Sequence, residues 1–151
     1  MTAKRIEAVL RPASVAVVGA SDKPGTIGEI LARNLREGGF QGPVFCVNSR
    51  HATIGGAPAF PDVRALPQAV DLAVIATPPH TVPTVLEHCG ERGVRGAVIV
   101  SAGFREGGEE GAACERSMLQ VARRYGLRLL GPNSFGVIRT DSGLNAACGS
   151  A

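Results

Sequence analysis

Ser14-Val-Ala-Val-Val-Gly-Ala-Ser-Asp-Lys-Pro-Gly-Thr-Ile-Gly28 joins an apolar run, a glycine-bearing turn and the opening of a helical period. Val15 to Val18 is a short apolar run rich in β-branched residues, the composition of a strand covered on both faces. Gly19 and Gly25 relieve the sterics of a tight loop. From Ile27 the period becomes helical, with Ile27, Ile30, Leu31 and Leu35 on one face. The free N–H groups of that first helical turn point back toward the strand end. They carry partial positive charge and suit a phosphate. The stretch therefore reads as a nucleotide-binding loop.

Upstream, Ile6, Val9 and Leu10 form a short helical face that Pro12 ends. Downstream, Gly38-Gly39 stops the helix with a left-handed cap. Val44 to Val47 is a second buried strand, followed by a loop from Asn48 to Gly56. Ala57 to Phe60 reads as a short edge strand because prolines flank and interrupt it. Asp62 caps a one-turn helix ending near Leu66-Pro67. Leu72 to Ala76 is the next strand, broken by Thr77-Pro78-Pro79. Val82, Val85, Leu86 and Cys89 recur at helical spacing.

Ala97 to Val100 is a strand, and Ser101 to Gly108 a loop. The next helix begins with Glu109 and Glu110 and ends with Arg123 and Arg124, as its dipole favours. Cys114, Met118, Val121 and Tyr125 give it an apolar stripe, and Gly126 caps it. Leu127 to Leu130 reads as a last core strand. Gly131 to Gly136 is a turn, and Val137 to Arg139 an added edge strand. Continuously apolar strands alternating with helices predict an α/β fold. It is a Rossmann-like, doubly wound, mostly parallel sheet with helices on both faces.

In such a sheet a ligand lies in the crevice at the carboxyl ends of the strands. The loops falling there are Gly19 to Gly28, Asn48 to Gly56, Thr77 to Pro79, Ser101 to Gly108 and Gly131 to Gly136. Each is rich in Gly, Pro, Ser, Thr or Asn.

Composition narrows the class. The 151 residues are 44% hydrophobic and 19% charged, a folded chain long enough for one real core. The net charge is +3, and no Lys/Arg cluster has interleaved aromatics, which argues against nucleic acid. No apolar run reaches membrane-spanning length, and the N-terminus lacks a signal-peptide core. Cys46, Cys89, Cys114 and Cys148 have neither metal-ligand nor redox-pair spacing. The expectation is a cytoplasmic protein with reduced thiols, no metal and no membrane association.

Which nucleotide is a finer question. The G-x-G-x-x-G fingerprint is absent, since Ala20 and Ser21 follow Gly19. The second strand ends in Val47-Asn48-Ser49-Arg50, with no carboxylate for a ribose diol. Arg50 instead suits a phosphate on the adenosine ribose, which both NADP and coenzyme A carry.

Several motifs occur in an order that is specific when taken together. They are Val17-Val-Gly-Ala-Ser21, Gly25-Thr-Ile-Gly28, Val47-Asn48, Ala76-Thr-Pro-Pro79, Ser101-Ala-Gly-Phe104 with Glu106, Gly131-Pro-Asn-Ser-Phe-Gly136 and Gly143-Leu-Asn145. In these residues the chain resembles the N-terminal CoA-binding domain of NDP-forming acyl-CoA synthetases. A more distant likeness is to the succinyl-CoA synthetase α subunit, and the same module occurs fused to GNAT acetyltransferases. The resemblance spans roughly residues 8 to 147.

The resemblance implies coenzyme A as ligand. Gly19, Ser21, Gly25 and Thr26 would hold its phosphates and nearby pantetheine. Asn48 and Arg50 would sit by the adenosine end, where the family often has Asn-Pro-Lys. Thr77, Pro78 and Pro79 would pack against the cofactor. Ser101, Ala102 and Gly103 would border the pantetheine arm, with Asn133 and Ser134 at the thiol end and Glu106 facing an adjoining domain.

It further implies that residues 1–151 are one domain of a larger protein. In that protein a downstream ligase domain bears a phosphohistidine and an ATP-grasp module handles the nucleotide. None of His51, His80 and His88 falls where the family puts its phosphohistidine. Ser134 has no histidine placed as its base, so this chain is assigned no catalytic residue. The leading reading is a domain that presents the CoA thiol to an acyl phosphate. A stand-alone or regulatory CoA-binding domain, including one in an acetyltransferase fusion, and an NADP-binding oxidoreductase domain stay open at this point.

Overall fold

The structure, a computed structural model, describes residues 2–149. The order is α1 (Thr2–Leu10), β1 (Val15–Val18), α2 (Ile27–Glu37), β2 (Val44–Val47), β3 (Thr53–Ile54), β4 (Ala57–Phe60), β5 (Leu72–Ile75), α3 (Val82–Arg92), β6 (Gly96–Ile99), α4 (Gly108–Tyr125), β7 (Arg128–Leu130), β8 (Gly136–Arg139) and β9 (Leu144–Ala147). Seven strands form one sheet in the order β3-β4-β2-β1-β5-β6-β7. Every pairing in it is parallel except β3 with β4.

β1 is central. Val17 sits opposite Cys46 on one side and Val74 on the other. Alternate residues point to opposite faces, and two separate cores follow from that. Val15, Val17, Leu72 and Val74 pack with Val9 of α1 and with Leu31, Ala32 and Leu35 of α2. Ala16, Val18, Ala73 and Ile75 pack with Val82, Leu86 and Cys89 of α3 and with Met118, Val121 and Ala122 of α4. The strand order reverses direction between β1 and β5, the switch point where such sheets open a crevice.

α3 and α4 lie close because Gly90 leaves room for the Tyr125 ring, into which a Cβ would run. α4 ends at Gly126, whose left-handed conformation lets its N–H reach the last turn. Asp62 starts the expected single turn, Val63–Ala65, by accepting from Arg64 N.

Four expectations are corrected. Ala57–Phe60 is not the sheet edge: β4 pairs with β2, and the two-residue β3, expected as loop, lies outside it. The expected core strand β7 is an edge strand, with Arg128 and Leu130 exposed. β8 does not extend the sheet. It pairs with the unforeseen β9 in an antiparallel hairpin, Val137 opposite Ala146, that packs Leu144 and Ala146 into the α2 side of the core. Ile27 leaves the α2 apolar face at its first turn and is 46% exposed.

Candidate functional site

The loop after β1 is held by its neighbours. Gly19 N and Ala20 N both donate to Val47 O, at 3.0 and 3.2 Å. Gly19 has φ +90°, and α2 packs so tightly on it that a Cβ at Gly28 would run into the Gly19 carbonyl. The start of α2 is thus seated directly on the end of β1. Thr26 caps it in extended conformation, accepting from Glu29 N at 3.4 Å and donating to Lys23 O at 2.8 Å. The turn before it is fixed by Ser21 Oγ, which accepts from Lys23 N at 3.0 Å.

Asn48 organises the neighbouring loop. Its Nδ2 donates to Ala20 O at 2.9 Å, and its Oδ1 accepts from Arg50 N at 2.7 Å and His51 N at 2.9 Å. One side chain therefore joins the loops after β1 and β2 and sets where Arg50 leaves the backbone. Arg50 itself is exposed.

The loops after β5, β6 and β7 form a second connected set. Ser101 is 8% exposed, and its hydroxyl donates to Thr77 O at 2.5 Å. Thr81 Oγ1 donates to Pro78 O at 2.6 Å, so its 2.8 Å contact with Thr77 Oγ1 has Thr77 as donor. Pro79 abuts Gly103, leaving 3.2 Å to a Cβ placed there. Asn133 adopts φ 56°, a left-handed conformation Asn tolerates, and its N–H donates to Ser101 O at 2.9 Å. Glu106 closes its own loop: Oε1 accepts from Gly103 N at 2.6 Å, and such backbone donors hold its carboxyl below the usual range.

Between these two sets lies a cleft of about 610 Å³. Of the residues expected at the site, Gly19, Asn48, Arg50, Thr77 and Pro78 line it. Gly25 and Thr26 belong to the β1–α2 turn beside it, while Ser21 faces a smaller groove shared with Asp22, Glu29 and Arg33. Pro79, Ser101, Ala102, Gly103 and Asn133 sit further along the same sheet edge, at the ends of β5, β6 and β7. Residues the sequence reading did not assign to the site also line the cleft: Asp62, Val63, His80, Thr81, Val85 and His88. Thr81, Val85 and His88 are four and three residues apart, the spacing of one helix face, and that was the available signal. Asp62 and Val63 were concealed because their turn was read only as a cap.

Chemically the cleft is apolar along its sides, through Val18, Val47, Val63 and Val85, and basic at its exposed rim, through Arg50 and His80. Asp62 is the carboxylate of the lining, and its fork to Arg64 holds its carboxyl below the ordinary value. A flat apolar ring with an anionic group at the rim fits such walls.

The CoA binding domain family model matches residues 13–140. The chain is 46% identical over 148 residues to the α subunit of acetate–CoA ligase (ADP-forming) I of Pyrococcus furiosus, covering 95% of this chain and 32% of that protein. It is 45% identical over 141 residues to acetate–CoA ligase (ADP-forming) I of Archaeoglobus fulgidus, covering 93% and 20%. The apo structure of the dinucleotide forming acetyl-coenzyme A synthetase 1 of Ca. Korarchaeum cryptofilum superposes with a TM-score of 0.89 at 39% identity, covering 96% of this chain and 31% of that one. The chain thus spans a fifth to a third of the length of these relatives. A match from Ala13 to Thr140, taken with the loops just described, makes the chain a member of the CoA-binding domain family, of the kind found in ADP-forming acyl-CoA synthetases.

Proposed function

We propose that this domain binds coenzyme A along the carboxyl edge of its sheet and presents the thiol for acyl transfer from an acyl phosphate. The adenosine end occupies the cleft, with Arg50, set by Asn48, at the ribose phosphate. The pyrophosphate lies on the turn formed by Gly19, Ser21, Gly25 and Thr26, at the start of α2. The arm passes Thr77, Pro78 and Pro79, then Ser101, Ala102 and Gly103, and ends by Asn133.

The observation that carries this reading is the seating of α2 on Gly19 beside the cleft. A helix start capped by Thr26 adjoins a slot with apolar walls and a basic rim. The residues present fit the group: donors where its phosphates run, hydrophobic walls where its ring lies. CoA supplies the reactive thiol, and this chain's residues orient it. The acyl phosphate and the nucleotide are handled by further ligase and ATP-grasp parts, such as the relatives' greater length accommodates. The four cysteines are free, which accords with the reducing cytoplasm we assign to the domain. Among the described residues no helix is long and apolar enough to cross a membrane.

Calorimetric titration with CoA, dephospho-CoA and NADP tests the reading. CoA binding tighter than dephospho-CoA, with NADP silent, is the expected result. Binding of NADP alone overturns it in favour of a redox domain.

A further inference from the structure

The cleft has two ends of different chemistry. Arg50 and His80 are exposed at the rim, whereas His88 and Asp62 are partly buried further in. Asp62 enters from the turn after β4, and His88 from the middle of α3. The walls between them are apolar, formed by Val63, which is 1% exposed, and by Val85, Pro61 and Pro78.

The carboxylate is not saturated. Asp62 Oδ1 accepts from Arg64 N at 2.8 Å and from Arg64 Nε at 3.2 Å. Oδ2 accepts from one Arg64 nitrogen, at 3.2 Å, and a carboxylate oxygen can take two such bonds. The side chain is 33% exposed and lines the cleft. The hydrogen bonds from Arg64 favour the ionised form, which is purely an acceptor. The imidazole of His88 carries an N–H donor in either tautomer. An acceptor and a donor thus line one cleft, together with the apolar side chains of Val63 and Val85.

We propose that Asp62 and His88 read the edge of the purine and make the cleft specific for adenine. The proposal rests on the reading of this cleft as the adenosine end of the CoA site. Asp62 Oδ2 accepts the exocyclic amino N–H, and His88 donates to the ring nitrogen beside it. Adenine offers that donor-and-acceptor pair, whereas guanine and hypoxanthine put a carbonyl oxygen where the amino group would be. That oxygen meets a carboxylate, two acceptors with no proton between them. A partly buried polar group left without its partner discriminates strongly. Binding energy from the walls is common to all purines, so base choice falls to this pair.

The test is calorimetric titration of the full chain with adenosine 3′,5′-bisphosphate and guanosine 3′,5′-bisphosphate, alongside CoA. The two bisphosphates share sugar and phosphates, so any difference belongs to the base. The wild-type chain is expected to prefer the adenosine compound by about ten- to a hundredfold. Asp62→Asn keeps the cap to Arg64 N through its amide oxygen and can turn an N–H toward a carbonyl; its preference is expected to fall below about threefold. His88→Leu weakens the adenosine compound about tenfold, and His88→Gln, which retains an N–H, restores most of it.

Equal affinity of the wild-type chain for both bisphosphates, with CoA still binding, overturns the base-reading role and leaves the CoA reading intact. An unchanged preference in Asp62→Asn overturns the assignment to Asp62. Absence of CoA binding removes the CoA reading and this inference together.

Discussion

Asn34 on α2 donates through Nδ2 to the carbonyl of Ala147 at 2.9 Å, across 113 residues of sequence. The same nitrogen donates to Gly149 O at 3.0 Å. Asn34 is 7% exposed, one of few polar side chains buried in the domain. It fastens the β8–β9 hairpin to the helix whose first turn rests on Gly19. That hairpin covers part of a sheet face, and Asn34 satisfies the backbone where its last strand runs out. Asn34→Ala leaves two carbonyls without this donor, and the expected loss is about 1–3 kcal/mol. Urea unfolding checks it: the midpoint falls with an unchanged slope.

Gly28 is required by packing. Any Cβ there meets the Gly19 carbonyl, a backbone atom that cannot rotate away. Gly28→Ala is expected to push α2 off the end of β1 and to cost about 1–3 kcal/mol, the usual penalty of overpacking. It also displaces the helix start assigned to the pyrophosphate. CoA affinity is expected to drop by more than tenfold, measured by calorimetry at a temperature where the variant stays folded.

The thiols sort by burial. Cys89 is fully buried, and desolvation pushes its thiol up to about 12; burial also raises Cys46. Thiolate is the reactive form, so neither reacts in the native state. Cys114 and Cys148 are partly exposed. Iodoacetamide at pH 8 followed by mass spectrometry is expected to label these two first. Cys46 and Cys89 react only in denaturant, and early labelling of Cys89 would show that α3 is not seated as described.

Asp62 gives an acid signature. Its hydrogen bonds to Arg64 lower its carboxyl from the ordinary 3.8. A lowered acid stabilises the fold when ionised, so its contribution is fully present above about 3.8. It is lost as pH falls further, through the lowered folded value. Asp62→Asn is therefore expected to be less stable than wild type at pH 6. The difference should close below pH 3.8, as thermal unfolding across that range will report. A gap that persists at pH 2 contradicts the pairing.

The parallel sheet was legible because β1, β2, β5 and β6 are unbroken apolar runs, which only strands buried on both faces need. β3 and β9 were not. Thr53–Ile54 is two residues long, and Leu144-Asn-Ala-Ala147 has no β-branched residue to signal a strand. Both are fixed by partners that sequence periodicity does not reveal. β7 misled because Leu129 and Leu130 look like core, yet nothing in the described residues pairs with its outer edge. Ile27 shows a similar limit: helical period identifies a face, not how far along the helix the core extends.

The candidate site divided along the same line. Loop residues rich in Gly, Pro and Asn announced Gly19, Asn48 and Thr77, because strand ends of a doubly wound sheet gather there. The inner wall did not announce itself. Val85 read as an ordinary position on an apolar helix face, and Val63 drew no reading of its own, until tertiary packing put them with His88 around one cleft. Asn34 was invisible for the same reason, since its partners lie more than a hundred residues away.

In the proposed complex CoA lies along the carboxyl edge with its adenosine in the cleft. Amide chemical-shift mapping of the chain during CoA titration tests this most directly. Saturable shifts are expected at Gly19, Thr26, Asn48, Arg50, Thr81, Val85 and His88, with Ser101 and Asn133 following. Shifts confined to the opposite edge, around Ala13, Gly42 and Gly143, would contradict it.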